Sequence, residues 1–567
     1  MRFRRLTVGA VATATALAIV GVTPPANADP AATAAETATT VYTVLSEDGA
    51  NGADAVTAIT AAGGKITATN DAVGSYTVTA PAAGFIEKVS ASGAVLGAAH
   101  ARPIGQAPKL LRKAPADVQQ ENLGVGRSSG LTASTAGLDP MDGKLWGLRM
   151  VRSDLARTVQ AGDKRVTVGI LDTGVDASHP DIAPNFSTAL SRNFATDIPA
   201  IDGPCEVASC LDPVGTDDGG HGSHVAGTIG AAANGFGISG VAPNVTLVEL
   251  KAGQDSGYFF LDSVVNGLVH AGDSGLDVVN MSFYVDPWLY NCYNNPADSK
   301  EAQLEQRTII AAMNRALRYA GEHGVTLVGS LGNNHEDLGS PRTDTSSPDY
   351  PADSAYARPI DNQTCFDLPV EGPGVIGVSA LGPSGKKADY SNYGTEQISV
   401  SAPGGWFRDG FGTPTFRTNE NMILSVQPLK VLQEEGTVDK HGRITHAGVV
   451  AGVQKACTAD GKCGYYGYLQ GTSMASPHAS GVAALIVSQY GSADPLHPGG
   501  LGLSPSTTEQ VLYASAAEHA CPEPRLQTYT NEGRSAEFNA YCEGDQSFNG
   551  FYGHGIVDAY AAVTRAQ

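Results

Sequence analysis

The chain has 567 residues, too many for one ordinary domain, and with 42% hydrophobic and 16% charged residues it holds enough apolar material for a packed core. A formal net charge of -21 repels nucleic acid and anionic membrane surfaces, and no basic patch capable of neutralising phosphates interrupts it. Proteins, peptides or neutral molecules remain as partners.

In chain order, Arg2, Arg4 and Arg5 precede an apolar run from Leu6 to Val22, then prolines and Ala26-Asn27-Ala28. This is the layout of a signal peptide over residues 1–28, cut after Ala28, and it implies a secreted, extracellular protein. The run is too short and too rich in Ala and Thr for a membrane span. Arg4-Arg5 leaves the export route open. Residues 41–102 read as strand, amphipathic helix, two strands, helix, strand, which is a split βαβ pattern of the ferredoxin-like kind. Residues 103–140 are rich in Pro, Gly, Ser and Gln and read as an exposed linker that is easily cut. From 145 to 567, apolar runs of strand length (166–171, 245–250, 277–282, 325–332) alternate with helical stretches at 261–271 and 307–322. That alternation predicts an α/β fold with a parallel sheet covered by helices on both faces, and chemistry beyond the carboxyl ends of the strands. The eight cysteines all lie from Cys205 onward; Cys205 with Cys210 and Cys457 with Cys463 suit small disulfide loops. Cys292 with Cys365 and Cys521 with Cys542 follow only by elimination, among 105 formal connectivities.

Four motifs carry candidate chemistry. The first strand ends in Asp172-Thr173-Gly174, where a carboxylate orients an imidazole or simply caps a turn. GGHGSHVAGT (219–228) opens a helix of small residues with two histidines; the Glu of a metalloprotease helix is missing, so a general base fits better than a metal ligand. Spacing leaves open which histidine acts. In GTSMASPHASGVAAL (471–485), Ser473 stands at a helix start among free N–H groups that favour an oxyanion, or it only caps the helix. Pro477 is expected within the first turn. GSLGNN (329–334) places an Asn amide directly after a strand.

Together these motifs, in the order Asp, His, Ser, resemble the subtilisin-like serine proteases, or subtilases. The resemblance runs from about Leu145 to Ala559 and includes ISGVAPN, VVNMS, SNYG, SAPGG and GHGIVDA. It implies the subtilisin-like three-layer fold, with Asp172 as orienting acid, His221 as base, His224 as structural and Ser473 as nucleophile. It implies Asn333 as side-chain donor to the oxyanion. Ser282, Phe283 and Tyr284, with Ser330, Leu331 and Gly332, become the two segments that clasp an extended substrate by its main chain. The chemistry needs no metal or other cofactor. Calcium stays undecided as a structural ion, since the family's Asn-rich calcium loop is short here (ANGFGISGV). Residues 41–102 resemble the family's inhibitory prodomain, an intramolecular partner removed by a cut in the linker. Asp349 falls near the floor of the first specificity pocket, where a buried carboxylate selects Lys or Arg; an exposed loop Asp is the plainer expectation. Extra segments near 287–305, 334–365 and 406–467 are either stapled surface loops or a rim that restricts the cleft. The closing GHGIVDA suggests that no further domain follows, and a monomer is the default. The function implied is a secreted serine endopeptidase acting on protein or peptide substrates. A narrow processing peptidase is the alternative, and an inactive subtilase-fold binding protein a distant one.

Overall fold

The computed structural model describes residues 38–101, 139–340, 342–351 and 354–565. The expected signal peptide, and the linker apart from its last two residues, lie outside the described residues. Among the described residues no helix is long and apolar enough to cross a membrane.

An N-terminal unit contains β1 (Thr39–Ser46), α1 (Gly52–Ala61), β2 (Lys65–Asn70), β3 (Ser75–Pro81), α2 (Phe85–Ser90) and β4 (Val95–His100). Its antiparallel sheet has the order β2-β3-β1-β4. Strand alternation divides its side chains between two cores. Val44 and Ala98 pack with Ile59, Phe85 and Val89 under the unit's own helices. Their neighbours Leu45 and Ala99 face the opposite way and join the core of the larger unit.

The larger unit is built on a seven-stranded parallel sheet ordered β11-β10-β9-β8-β5-β7-β6. The strands are β5 (Thr167–Asp172), β6 (Arg192–Asn193), β7 (Thr246–Lys251), β8 (Val278–Met281), β9 (Thr326–Ser330), β10 (Val375–Leu381) and β11 (Val400–Pro403). Helices α3 (His221–Gly230) and α6 (Thr472–Tyr490) cover one face, and α4 (Leu261–Asp273) and α5 (Lys300–Glu322) the other. The expected helix at 307–322 begins seven residues earlier: Ser299 caps it by accepting from Ala302 N, and its polar first turns carry little apolar periodicity. A smaller sheet, β12 (Ile423–Gln427), β13 (Gln454–Cys457) and β14 (Cys463–Leu469), has the order β12-β14-β13 and comes from the extra segment at 406–467.

All four disulfides join the cysteines as expected: Cys205–Cys210, Cys292–Cys365, Cys457–Cys463 and Cys521–Cys542. The extra segments at 287–305 and 334–365 are fastened to each other by Cys292–Cys365 and by the fully buried Arg358. Its guanidinium binds Asp298 at 2.8 Å and Asp344 at 3.1 Å, and lies over the Trp288 ring.

The N-terminal sheet docks on α4 and α5. Arg315 of α5 donates to the main-chain oxygens of Val73 (3.0 Å) and Ser46 (2.9 Å), and Glu305 accepts from His100 N and Nδ1, both at 2.8 Å. Strand β4 comes so near α5 that a Cβ on Gly97 would stand 2.2 Å from Thr308 Oγ1. Overpacking of this kind costs ~1–3 kcal/mol. Gly97→Leu in a Ser473→Ala chain is expected to loosen the N-terminal unit, seen as faster removal of residues 38–101 by an added protease, with the larger unit equally resistant.

Candidate active site

Asp172 is the last residue of β5, at the carboxyl edge of the sheet. Its Oδ1 accepts from Thr173 N at 2.8 Å and lies 2.7 Å from His221 Nδ1. A carboxylate only accepts, so Nδ1 carries the hydrogen and Nε2 is left as the basic nitrogen. Both residues are buried. His221 opens α3, and the approach requires glycine at the next position: a Cβ on Gly222 would meet Gly174 O at 2.1 Å and Asp172 Cβ at 3.1 Å.

The start of α3 hangs on a residue that the motif reading did not single out. Asp217 accepts from Gly220 N and Ser223 N, each at 2.8 Å, and from Thr173 Oγ1 at 2.9 Å. Thr173 Oγ1 in turn accepts from Gly222 N at 3.0 Å. One carboxylate thus satisfies free N–H groups at the helix start and ties them to the residue after Asp172. The Asp-Asp-Gly-Gly run before His221 was the available signal.

The second histidine is structural. His224 Nε2 donates to Ile423 O at 3.0 Å, and burial depresses its pKa to about 3. Ser425 Oγ donates to His224 O at 2.7 Å, so β12 is laid along α3 behind the candidate base.

Ser473 is the second residue of α6. Pro477 lies in the second turn of this helix, not the first as expected, so it lacks the N–H that would reach Ser473 O. The sheet supplies a replacement: Ser282 Oγ, one residue past β8, donates to Ser473 O at 3.1 Å. That hydroxyl is also 2.8 Å from Ser476 Oγ and accepts from Asn280 Nδ2 at 2.8 Å, while Ser480 Oγ donates to Asn280 Oδ1. The NMS of the third strand motif is therefore a bracket for the serine helix. Ser473 Oγ donates to Ser282 O at 3.3 Å, a long bond.

Asn333, three residues beyond β9, is held by α6. Its Oδ1 accepts from Thr472 N at 2.9 Å and Thr472 Oγ1 at 3.1 Å. A main-chain N–H must donate, which fixes the amide with its NH2 as the donor end. Thr472 Oγ1 also accepts from Gly332 N at 3.0 Å.

The two expected clasping segments differ. On the Ser330–Gly332 side, Leu331 N donates to Val378 O and Gly332 N to Thr472, while Asn392 donates to Leu331 O and Gly332 O. The main-chain N–H groups of Leu331 and Gly332 are thus engaged within the chain. Gly332 has φ 96°, and a Cβ there would meet Asn392 Nδ2 at 2.5 Å. Opposite, Phe283 stacks on Phe259 with ring centroids 4.1 Å apart. Tyr284 OH donates to Asp349 Oδ2 at 2.7 Å. Asp349 is half-buried, which corrects the plainer expectation of an exposed loop Asp: the aspartate is drawn in by the tyrosine of the edge segment.

The short loop ANGFGISGV closes around carboxylates that N–H and O–H donors already hold. Asp181 accepts from Ile238 N and Tyr466 OH, and Asp139 from Gly235 N. Inward N–H groups are the wrong polarity for a cation, so this loop is a hydrogen-bonded brace.

His224 makes the site's support acid-sensitive. Its folded pKa of about 3 lies below the ordinary value of about 6.5, so the unfolded chain takes up a proton first as pH falls. Stability from this residue is complete above about pH 6.5 and is lost toward pH 3, by up to ~1.4 kcal/mol per pH unit. His224→Gln, which keeps a donor toward Ile423 O, is expected to flatten the pH dependence of urea unfolding by that amount below pH 6.5.

Residues 163–555 match the model of the subtilase family of peptidases. Fervidolysin of Fervidobacterium pennivorans is 29% identical over 369 residues, which cover 63% of this chain and 39% of fervidolysin. Subtilisin DY of Bacillus licheniformis is 27% identical over 345 residues, covering 61% of this chain and 85% of that protein. Among solved structures, the epidermin leader peptide processing serine protease of Staphylococcus aureus superposes with a TM-score of 0.58 at 18% identity, covering 93% of this chain and 100% of its own. The crystal structure of fervidolysin gives 0.56 at 23% identity, over 93% of this chain and 61% of its own. By the match over most of its length, this chain belongs to the subtilase family.

Proposed function

We propose that the chain is a secreted serine endopeptidase, made as a precursor whose residues 41–102 inhibit it until the linker is cut. The observation that carries the reading is the Asp172–His221 hydrogen bond, taken together with a serine and an asparagine positioned by one helix start. In this reading Ser473 Oγ passes its proton to His221 Nε2 and attacks the scissile carbonyl, while Asp172 stabilises the resulting imidazolium. The Asn333 amide and the Ser473 N–H receive the oxyanion. His221 then protonates the leaving amine, and water releases the acyl-enzyme by the reverse path. No metal is required for these steps.

A narrower processing role is favoured by one contact. Tyr284, in the edge segment, is tied to Asp349, and in this reading the pair lines the subsite for the residue before the cut. A carboxylate there favours Lys or Arg.

Full-length chain and its Ser473→Ala variant, followed by mass spectrometry and casein digestion, test the first reading. The parent should lose its leader and digest casein, and the variant should do neither. Asn333→Ala should lower kcat by about 10²–10³, the loss found when the corresponding donor of subtilisin is removed. Identical behaviour of parent and Ser473→Ala would refute the assignment. Profiling with a peptide library tests the second: a basic preference abolished by Asp349→Asn supports it, and a profile indifferent to Lys and Arg removes it.

A further inference from the structure

The segment that carries Asn333 turns between two left-handed residues. Gly332, before it, has φ 96°, and His335, after it, has φ 53°. Glycine adopts that conformation without a steric penalty, whereas any other residue brings its Cβ against the following carbonyl, so the turn at His335 stores strain. Strain of this kind persists only where the surroundings over-determine it.

What holds His335 comes from two remote segments. On the main chain, His335 N donates to Tyr390 O at 2.8 Å, and Asn392 Oδ1 accepts from Asn334 N at 3.0 Å and Glu336 N at 2.9 Å. These bonds are open to any residue at 335. The contact that depends on a side chain is the stack of the His335 ring on Phe538, with centroids 4.0 Å apart and planes 20° from parallel. Burial, and then the nearby Lys387 ammonium, holds the imidazole pKa below its ordinary value, so the ring that meets Phe538 at neutral pH is uncharged.

Phe538 is itself fixed. The Arg534 guanidinium carbon lies 4.4 Å from the Phe538 ring centre, and Arg534 Nε binds Asp389 at 2.6 Å. Asp389 precedes Tyr390, so the contacts close a circuit from His335 through Phe538, Arg534 and Asp389 to the carbonyl that His335 N reaches. Arg534 and Phe538 both lie in the loop closed by Cys521–Cys542, and Tyr529 OH of that loop donates to Lys387 O at 3.2 Å.

We propose that Phe538 is a positioning residue for peptide hydrolysis: by stacking on His335 it holds the strained turn that sets the Asn333 amide. The inference rests on the oxyanion role proposed above for Asn333. An amide aimed at a developing oxyanion tolerates little misplacement, which gives a contact two residues away its leverage.

The test uses full-length precursors with single substitutions, allowed to mature, with active serines counted by a serine-directed phosphonylating reagent. For each, kcat and KM on a peptide anilide are measured per active serine, beside the affinity of a peptide aldehyde, whose adduct with serine carries the oxyanion. Phe538→Ala should lower kcat about tenfold at unchanged KM and weaken the aldehyde by the same factor. Phe538→Tyr, which keeps the ring, should restore both. His335→Ala, which keeps the left-handed strain and loses the stack, should match Phe538→Ala, and His335→Gly, which also removes the strain, should lose less. Should Phe538→Ala fail to mature, the two His335 variants carry the same comparison. Parental kcat in Phe538→Ala, a rise in KM that accounts for its loss, or a His335→Gly loss as large as that of His335→Ala would overturn the inference. With Asn333→Ala slowed as expected, such a result leaves the oxyanion assignment standing; an Asn333→Ala chain as fast as the parent would overturn both.

Discussion

Helix α6 is buried along almost its whole length, and the surrounding structure is built against it. Every residue from Thr472 to Ser488 is buried, none is charged, and the small side chains let neighbouring structure approach closely: a Cβ on Gly481 would stand 2.6 Å from Val241. Close packing of this kind removes sliding and tilting as soft motions. The start of the helix is therefore a fixed point, and the loops leaving two strands are located by it. Ser282, after β8, is held by the carbonyl that Pro477 leaves without an i+4 donor; Asn333, after β9, is held by Thr472. The residue that looks like a defect in the helix is what couples the helix to the sheet.

His221 is held by a different set of contacts. Helix α3 packs against α6 and β12, its start is tied down by Asp217, and its neighbour His224 is kept neutral by burial. Asp172 on β5, His221 on α3 and Ser473 on α6 come from three elements far apart in sequence. Asp172 and His221 pair through their side chains, and the close approach around that pair requires the absence of a side chain at Gly222.

What was legible in the sequence follows from the range of the interactions. The buried strands show as apolar runs because a parallel sheet covered on both faces has no polar side. The split βαβ unit shows because each of its elements has local periodicity. The start of α5 did not show, since Lys300–Glu305 is polar and largely outside the core, and only the Ser299 cap marks it. The motif residues were readable by type, but their supports were not. Asn280 meets Ser480 two hundred positions later, and Asn392 occupies main-chain groups of Leu331 and Gly332 sixty positions earlier. Nothing local distinguishes a main-chain group waiting for substrate from one already satisfied by a distant amide.

The docking of the N-terminal sheet on α5 has an evolutionary consequence. Arg315 addresses the carbonyls of Ser46 and Val73, and Glu305 accepts the main-chain N–H of His100. These contacts register the path of a backbone and are blind to most of the side chains hung on it. An N-terminal segment can therefore drift widely in composition and still be accepted, provided its strands keep their course and Gly97 stays small. Selection on such a segment acts on its shape, and its sequence is expected to diverge faster than that of the helices it rests upon.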